Sequence, residues 1–359
     1  MSIQNNYVVI MAGGIGSRFW PFSRNSHPKQ FHDILGIGKT MIQQTAERFD
    51  GVCPKENIFV VTNKIYAQKV KEQLPNLSDD QILLEPIARN TAPCVAYAAY
   101  KIHARNPSAN IIVAPADHVI LKEEEFKRCI NIALSETAKN DIIVTLGIKP
   151  HRPDTGYGYI QFLSRSYGEL YKVKTFTEKP SLEIAQQFLD SGDFVWNAGI
   201  FVFNARAIVH SFETHLPDIA ELFKQGEDIY YTGGEAKFID AIYAQSKSIS
   251  IDYGIMEKAP NAQVLLCDFG WSDLGTWKSL YELSEKDEQS NALQGKHILY
   301  DTQNCIIRTS GDKLVVVEGL DNYIVAEFDN VFMICRKDSE QRVKEFLGVA
   351  KEKHGESFV

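Results

Sequence analysis

Short apolar runs recur through the first half of the chain, each followed by a stretch with helical spacing. Residues 7–12 (Tyr7-Val8-Val9-Ile10-Met11-Ala12) are apolar and end in Gly13-Gly14, which predicts a buried strand feeding a glycine loop. Residues 58–62, 81–85, 110–114 and 141–146 predict four further strands. Apolar positions at helical spacing predict helices over 40–49, 65–74 and 124–139. A further helix is expected from Asn90 or Thr91 to about Ala104, with Pro93 tolerated in its first turn. Strand and helix alternating at this spacing predict an α/β fold: a doubly wound, mixed but mostly parallel sheet. Ligands of such sheets bind beyond the carboxyl ends of the strands. The tips to inspect are therefore 13–29, 85–91 and Asp117-His118.

From Leu293 the texture changes. Short β-rich pieces at 297–300, 305–308, 313–318, 323–327 and 331–335 are separated by turn residues, and a polar helical tail spans 339–353. No internal repeat is evident. The expected organisation is an α/β domain over residues 1–285 and a small β-rich region over 286–359. Short strands with open edges invite packing on another subunit, so this region is the expected dimerisation element.

Charge and cysteine usage narrow the function classes. The chain has 38 Lys and Arg against 46 Asp and Glu, a net charge of -8. That balance opposes a role in coating nucleic acid or an anionic membrane. No apolar run approaches the length of a membrane span, and the opening Met1-Ser2-Ile3-Gln4-Asn5-Asn6 lacks the basic and apolar regions of a leader. The six cysteines are too widely spaced for a zinc knuckle or a disulfide framework, so reduced thiols in a cytoplasmic protein are expected.

Against this acidic background one tip is cationic. Gly13, Gly14 and Gly16 follow a strand directly, and Ser17, Arg18, Arg24 and Lys29 come before the first acidic residue, Asp33. Glycines let backbone N–H groups approach phosphate oxygens closely, so the tip suits a polyphosphate. Two familiar phosphate loops do not fit. Gly38-Lys39-Thr40 would end a Walker A loop, but its first glycine falls on Asp33. Gly14-Ile15-Gly16 would begin a dinucleotide fingerprint, but its third glycine falls on Phe19.

The run Ala12-Gly13-Gly14-x-Gly16-Ser17-Arg18-x-x-Pro21-x-Ser23-Arg24-x-x-x-Pro28-Lys29-Gln30-Phe31 resembles the signature of the sugar-1-phosphate nucleotidyltransferases. Trp20-Pro21 and Pro28-Lys29-Gln30-Phe31 resemble the mannose-1-phosphate guanylyltransferases among them. Further matches follow in order: Glu85-Pro86-x-x-Arg89-Asn90-Thr91, Pro115-Ala116-Asp117-His118, Thr155-Gly156-Tyr157-Gly158, Phe176-Thr177-Glu178-Lys179-Pro180, Trp196-Asn197-Ala198-Gly199, Ser250-Ile251-Asp252-Tyr253-Gly254 and Gly270-Trp271-Ser272-Asp273. The resemblance runs from residue 11 to about 277, and the C-terminal region matches more loosely. It implies a Rossmann-like nucleotidyltransferase fold. The implied reaction is GTP plus mannose 1-phosphate giving GDP-mannose and pyrophosphate, in a homodimer.

The resemblance also assigns roles. Arg18 and Lys29 would be the catalytic cations, and Gly13, Gly14, Gly16 and Ser17 would hold the nucleotide. Glu85, Arg89, Asn90 and Thr91 would recognise the base. Tyr157, Gly158, Glu178, Lys179, Asn197 and Asp252 would bind the sugar. Asp117 and Asp273 would hold Mg²⁺, with Mn²⁺ as an alternative ion; a small hard cation takes oxygen ligands and keeps waters. Asn90 and Thr91 have a second reading as helix caps, and the two aspartates have one as turn residues. The Asp252-Tyr253-Gly254 motif departs from the usual pattern at Gly254, where a bulkier residue is common. Longer relatives carry a fused phosphomannose isomerase domain, and with no metal-type histidine set after Leu293, no isomerase activity is expected. Two alternatives stay open: the same chemistry with another nucleotide and sugar phosphate, or a non-catalytic GDP-mannose-binding regulator.

Overall fold

We obtained the structure as a computed structural model, which describes residues 3–359. Met1 and Ser2, part of the opening stretch read above for a leader, lie outside the described residues. Through residue 272 the strands are β1 (Asn6–Met11), β2 (Ile58–Asn63), β3 (Ile82–Glu85), β4 (Asn110–Pro115), β5 (Val119–Ile120), β6 (Ile143–Ile148), β7 (Gly158–Tyr167), β8 (Leu170–Glu178), β9 (Phe194–Asn204), β10 (Ala262–Cys267) and β11 (Trp271–Ser272). The helices are α1 (Met41–Arg48), α2 (Ala67–Gln73), α3 (Thr91–Arg105), α4 (Glu123–Thr137), α5 (Leu182–Ser191), α6 (Ala205–His215), α7 (Pro217–Lys224), α8 (Glu235–Gln245), α9 (Trp277–Leu283) and α10 (Val343–His354). The chain divides into two compact units.

The first unit comprises the chain up to Gly13, Thr45–Ala116 and Ile120–Trp271. Its nine-stranded sheet has the order β3-β2-β1-β4-β9-β6-β10-β8-β7. β1 pairs in parallel with β2 and β4, β2 with β3, and β10 with β6. β9 enters between β4 and β6 antiparallel to both, and β8 is antiparallel to β10 and β7. The sheet is thus mixed, with β8 and β9 running against the other strands. Both faces are covered: Val8, Val9, Ile10, Ile111, Ile112, Val113, Val202 and Phe203 are all buried, which is why these strands read as continuous apolar runs. α3 packs into the core along nearly its whole length, from Ala92 to Ile102. It starts where the sequence indicated, with the Asn90 side chain accepting from the Thr91 N–H at 2.9 Å. The expected helix over 65–74 begins instead as a 3-10 turn (Lys64–Tyr66) before α2.

The second unit comprises Gly14–Gln44, Asp117–Val119 and Ser272–Val359. Its strands are β12 (Ala292–Gln294), β13 (Lys296–Tyr300), β14 (Ile306–Arg308), β15 (Leu314–Glu318), β16 (Tyr323–Phe328) and β17 (Val331–Arg336). The sequence showed no repeat here, and the structure corrects that. Ile306 pairs with Ile324, Lys296 with Leu314 and Gln303 with Asp321, in parallel and each 18 residues on. The chain therefore coils in rungs rather than forming hairpins. Asn304 and Asn322 occupy equivalent corners with positive φ of 54° and 67°, a conformation asparagine tolerates. Among the described residues of this unit, only β16 and β17 close as an antiparallel pair. The expected tail helix is α10, preceded by a 3-10 segment (Lys337–Arg342).

One apolar cluster joins the signature loop to this coil. Phe19, Trp20, Ile34 and Met41 pack with Leu274, Trp277, Ile306, Ile324, Met333 and Val343. The Trp20 indole donates to the Phe358 carbonyl at 2.7 Å, and the Arg308 guanidinium donates to the Ile34 carbonyl at 2.7 Å. The loop that carries the motif thus owes its shape to the last residues of the chain.

Candidate active site

Within the second unit, the glycine loop is held around Lys29. Gly16 has φ 75°, and a Cβ there would lie 2.8 Å from Lys29 Cβ, so both the backbone sign and the space demand glycine. The Ser23 hydroxyl donates to the Ile15 carbonyl, and the Lys29 N–H donates to the same carbonyl at 3.2 Å. Lys29 itself is buried (3% exposed). Its ammonium pairs with Asp117 Oδ2 at 2.8 Å and donates to the carbonyls of Asp273 and Leu274 at 2.7 and 3.2 Å. A buried lysine persists only when its donors are satisfied like this. Burial pushes the Asp117 carboxyl up, but Lys29 and His118 outweigh it and hold the group below the usual range. The Asp273 carboxylate accepts from the Gly275 N–H at 2.9 Å. These side chains border a cavity of about 270 Å³, with Arg18 and Lys344 also on its wall.

Arg24 does not belong to this group. The sequence counted it among the cations of the tip, but its guanidinium donates to Asn330 Oδ1 at 2.7 Å and to the Phe328 and Pro21 carbonyls. It ties the loop to the turn between β16 and β17.

Within the first unit, a second group gathers at Asn197, toward the start of β9. The Asn197 amide donates to Asp252 Oδ1 at 2.9 Å, while its oxygen accepts from the Thr145 hydroxyl and the Gly199 N–H. Asp252 opens a π-helical turn, Asp252–Met256. Burial and the nearby Glu178 push its carboxyl up to about 6, against the opposing pull of its own backbone, Lys179 and Asn197. Glu178 pairs with Lys179, whose own N–H donates to the Tyr157 carbonyl at 3.2 Å. A Cβ on Gly158 would meet the Glu178 carboxylate, so a side chain there would have to displace it. The Tyr157 ring stands edge-on to Trp196 and Trp271, at 5.0 and 5.1 Å between centroids. Gly254 is explained as well: a Cβ there would lie 2.7 Å from Leu216 Cδ1. Leu216 occupies the space that a bulkier residue would need.

The segment from Glu85 to Thr91 leaves the end of β3 in the same unit. Glu85 is buried, and burial pushes its carboxyl up to about 7, with the hydrogen bond from Tyr243 opposing the rise. The Tyr243 hydroxyl reaches Glu85 Oε1 at 3.1 Å. A Cβ on Gly13 would lie 3.3 Å from Glu85 Oε2, so the first glycine of the motif adjoins this carboxylate. Arg89 donates to the Tyr243 and Ala244 carbonyls at the end of α8, at 3.1 and 3.2 Å. The Thr91 hydroxyl accepts from the Ile251 N–H at 2.9 Å. Asn90, Thr91 and Arg89 therefore all have structural partners, and the capping reading of Asn90 holds.

Two family models cover most of the chain. The nucleotidyl transferase model matches residues 7–290, and the mannose-phosphate isomerase/GMP-like beta-helix domain model matches residues 295–348. The chain belongs to the sugar-1-phosphate nucleotidyltransferases, in the mannose-1-phosphate guanylyltransferase family. It is 38% identical over 351 residues to the alginate biosynthesis protein AlgA of Pseudomonas syringae pv. tomato, across 96% of this chain and 71% of that protein. It is 37% identical over 350 residues to a mannose-1-phosphate guanylyltransferase of Klebsiella pneumoniae, across 96% of this chain and 74% of that one. Among solved structures it resembles one described as a mannose-1-phosphate geranyltransferase from Thermus thermophilus. The TM-score is 0.87 at 30% identity, over 97% of this chain and 100% of that chain. No helix among the described residues is long and apolar enough to cross a membrane.

The family carries the expectation of a divalent metal. Among the described residues, no three His, Cys, Asp or Glu side chains gather into a cage of protein ligands. Asp117 and Asp273 nevertheless border one cavity from separate segments, and both supply hard oxygen donors. Two carboxylates suit an ion that completes its shell with water and phosphate oxygens, so the residues fit such a cation bound together with its substrate.

Lys344 escaped the sequence reading. Nothing in a polar C-terminal helix marks one of its lysines. Only the coiling of the preceding rungs brings α10 against the Ser17–Phe19 turn, with Val343 buried beside Phe19 and Trp277.

Proposed function

We propose that this transferase moves GMP from GTP to mannose 1-phosphate, giving GDP-mannose and pyrophosphate, as a homodimer in the cytoplasm. The observation that carries the reading is Lys29, buried and fixed between Asp117 and the carbonyls of Asp273 and Leu274 on the wall of one cavity. Such a constellation suits phosphoryl chemistry, which needs positioning and charge neutralisation and no covalent nucleophile.

A phosphate oxygen of the sugar phosphate attacks the α-phosphorus of GTP. The new P–O bond forms as the bond to the β-phosphate bridging oxygen breaks, and the electron pair departs on pyrophosphate. Lys29 and Arg18 hold the triphosphate and offset the charge that grows on the transferring and leaving groups. With its three donors engaged by Asp117 and two carbonyls, Lys29 acts as a fixed positive charge beside the phosphates, and a direct bond to a phosphate oxygen exchanges one of these partners. Gly13, Gly14, Gly16 and Ser17 present loop backbone to the phosphates. Asp117 and Asp273 would hold Mg²⁺, or Mn²⁺ in its place, which when bound lowers the repulsion between the two phosphate-bearing substrates.

Guanine presents N1–H and N2–H donors, which the ionised Glu85 accepts, with Arg89, Asn90 and Thr91 fixing the segment around it. A base lacking those donors leaves a buried carboxylate unpaired and is penalised. Asp252, Asn197, Glu178 and Lys179, with Tyr157 and Gly158, form the sugar side.

The dimer reading rests on the coil. Ile298, Tyr300, Leu314 and Val316 are exposed on the paired strands β13 and β15, an apolar stripe that a second copy would cover. Light scattering at micromolar concentration should give twice the chain mass; a monomer would remove that part.

The test of the reaction is pyrophosphate release with Mg²⁺, crossing GTP, ATP, UTP and dTTP with mannose 1-phosphate and glucose 1-phosphate. Release confined to GTP with mannose 1-phosphate is expected. Release with another pair would keep the phosphate chemistry and discard the base and sugar assignments.

A further inference from the structure

The cavity around Lys29 carries more positive charge than the signature loop supplies. Six ionisable side chains border it: Arg18, Lys29, Asp117, His118, Asp273 and Lys344. Lys29 is already paired with Asp117. No ion pair among the described residues engages Arg18 or Lys344, which leaves these two cations uncommitted at the cavity wall. Lys344 comes from the first turn of α10, where a cation runs against the helix dipole and an acid would serve stability better. The neighbouring acid, Glu345, is occupied by Arg342 at 2.9 Å. Helix stability therefore gives no reason for a lysine at this position.

The position of α10 is firmly fixed. Val343, one residue earlier, is fully buried in the cluster with Phe19, Trp20 and Trp277. Glu340, just before the helix, accepts from the Lys278 N–H at 2.6 Å. The tail beyond α10 is pinned by the Trp20 indole on the Phe358 carbonyl and the Asn330 amide on the Ser357 carbonyl. The base of Lys344 is thus held by packing while the residue stays exposed on the cavity wall.

We propose that Lys344 is a phosphate-contacting residue, by which the C-terminal coil supplies a cation to the β- and γ-phosphates of the nucleotide and to the pyrophosphate that leaves. The coil is then part of the phosphate site as well as an assembly surface. The proposal rests on the reading of this cavity as the phosphate site of a nucleotidyltransferase. A charge-assisted contact to phosphate is strong, and Lys344 would act as a point charge, so either cation at this position would serve.

The deciding experiment is titration calorimetry of the full chain with pyrophosphate and Mg²⁺, comparing wild type, Lys344→Ala and Lys344→Arg. Lys344→Ala should weaken pyrophosphate binding by about tenfold and Lys344→Arg by no more than about twofold, with melting temperatures unchanged because the residue is exposed. In turnover, Lys344→Ala should raise the KM for GTP and leave the KM for mannose 1-phosphate within about twofold. Equal pyrophosphate affinity in wild type and Lys344→Ala would overturn the proposal, as would a wild type that binds no pyrophosphate. A wild type that binds pyrophosphate through Lys344 yet turns over no pair of nucleotide and sugar phosphate would uphold this contact while removing the catalytic reading.

Discussion

The Lys29 cavity and the Asn197–Asp252 cluster solve opposite electrostatic problems. In the first, a buried ammonium is matched by a carboxylate and two carbonyls, and the acid beside it is held in its charged form. In the second, Asp252 lies near Glu178, burial raises it to about 6, and it accepts from the Asn197 amide, whose own oxygen accepts from the Thr145 hydroxyl and the Gly199 N–H. On the proposed reading the first neutralises the negative charge of phosphates. On the same reading the second binds sugar hydroxyl groups, where direction matters more than net charge. Disturbing the first should therefore strike turnover, and disturbing the second should strike affinity and selectivity.

The largest effect is expected at Lys29. Lys29→Ala removes the ammonium and leaves Asp117 without its partner, so kcat should fall by about 10³-fold. The KM for mannose 1-phosphate should change little. A Lys29→Ala enzyme retaining a tenth of wild-type kcat would erase the contrast between the two regions.

Next is Asp252. Asp252→Asn keeps the shape and the bond with Asn197 but loses the anionic acceptor, so the KM for the sugar phosphate should rise by about 10- to 100-fold with kcat less affected. In the wild type, protonation of Asp252 should reproduce part of that loss as pH falls through about 6. Steady-state kinetics against sugar phosphate from pH 5 to 8 would show it, and a flat KM in that range would deny Asp252 a role in sugar binding.

Glu85 supplies a smaller, pH-dependent test. Its folded value of about 7 exceeds the ordinary 4.5, so the native chain binds this proton more tightly than the unfolded chain. Stability should accordingly fall as pH rises from about 4.5 to about 7 and stay level above that. On the proposed reading recognition of guanine should run the other way, because only the ionised carboxylate accepts from both donors. GTP affinity should drop by about tenfold for each pH unit below 7. Glu85→Gln should abolish that dependence and gain stability, on the order of 3 kcal/mol at pH 8. Denaturant melts and GTP titrations at pH 6 and 8 measure both, and unchanged slopes in the variant would remove Glu85 from base recognition.

Much of the fold was visible in the sequence, though unevenly. The parallel strands of the first unit are buried on both faces, so they stand out as apolar runs bounded by glycine and proline. The glycine loop was legible because Gly16 needs a positive φ and no side chain, a demand that fixes the residue type. The coil was not legible. Its rungs carry strands as short as the three residues of β14, and its repeat is written in sparse positions such as Asn304 and Asn322 instead of a continuous pattern. Arg24 and Lys344 mark the same limit from two sides. One looked like a phosphate cation and is spent on Asn330 and Phe328, and the other looked like surface charge and borders the cavity. Local pattern cannot report what a side chain meets 306 residues away, the separation of Arg24 from Asn330.

The smallest expected effect concerns Gly254, two residues beyond Asp252 in the cluster proposed to bind the sugar. A Cβ at 254 would press on Leu216 Cδ1, and Leu216 is itself mostly buried. Gly254→Ala must therefore either shift Leu216 or move the π-helical turn that begins at Asp252. Overpacking of this kind costs about 1–3 kcal/mol. If the turn yields, the Asp252 carboxylate moves relative to Asn197, and the KM for sugar phosphate should rise a few-fold while kcat holds. Leu216→Ala in the same chain frees the space, so the double variant should recover the wild-type KM despite its cavity. A double variant with the same raised KM as Gly254→Ala would mean that the backbone at 254, and not the contact with Leu216, sets the position of Asp252.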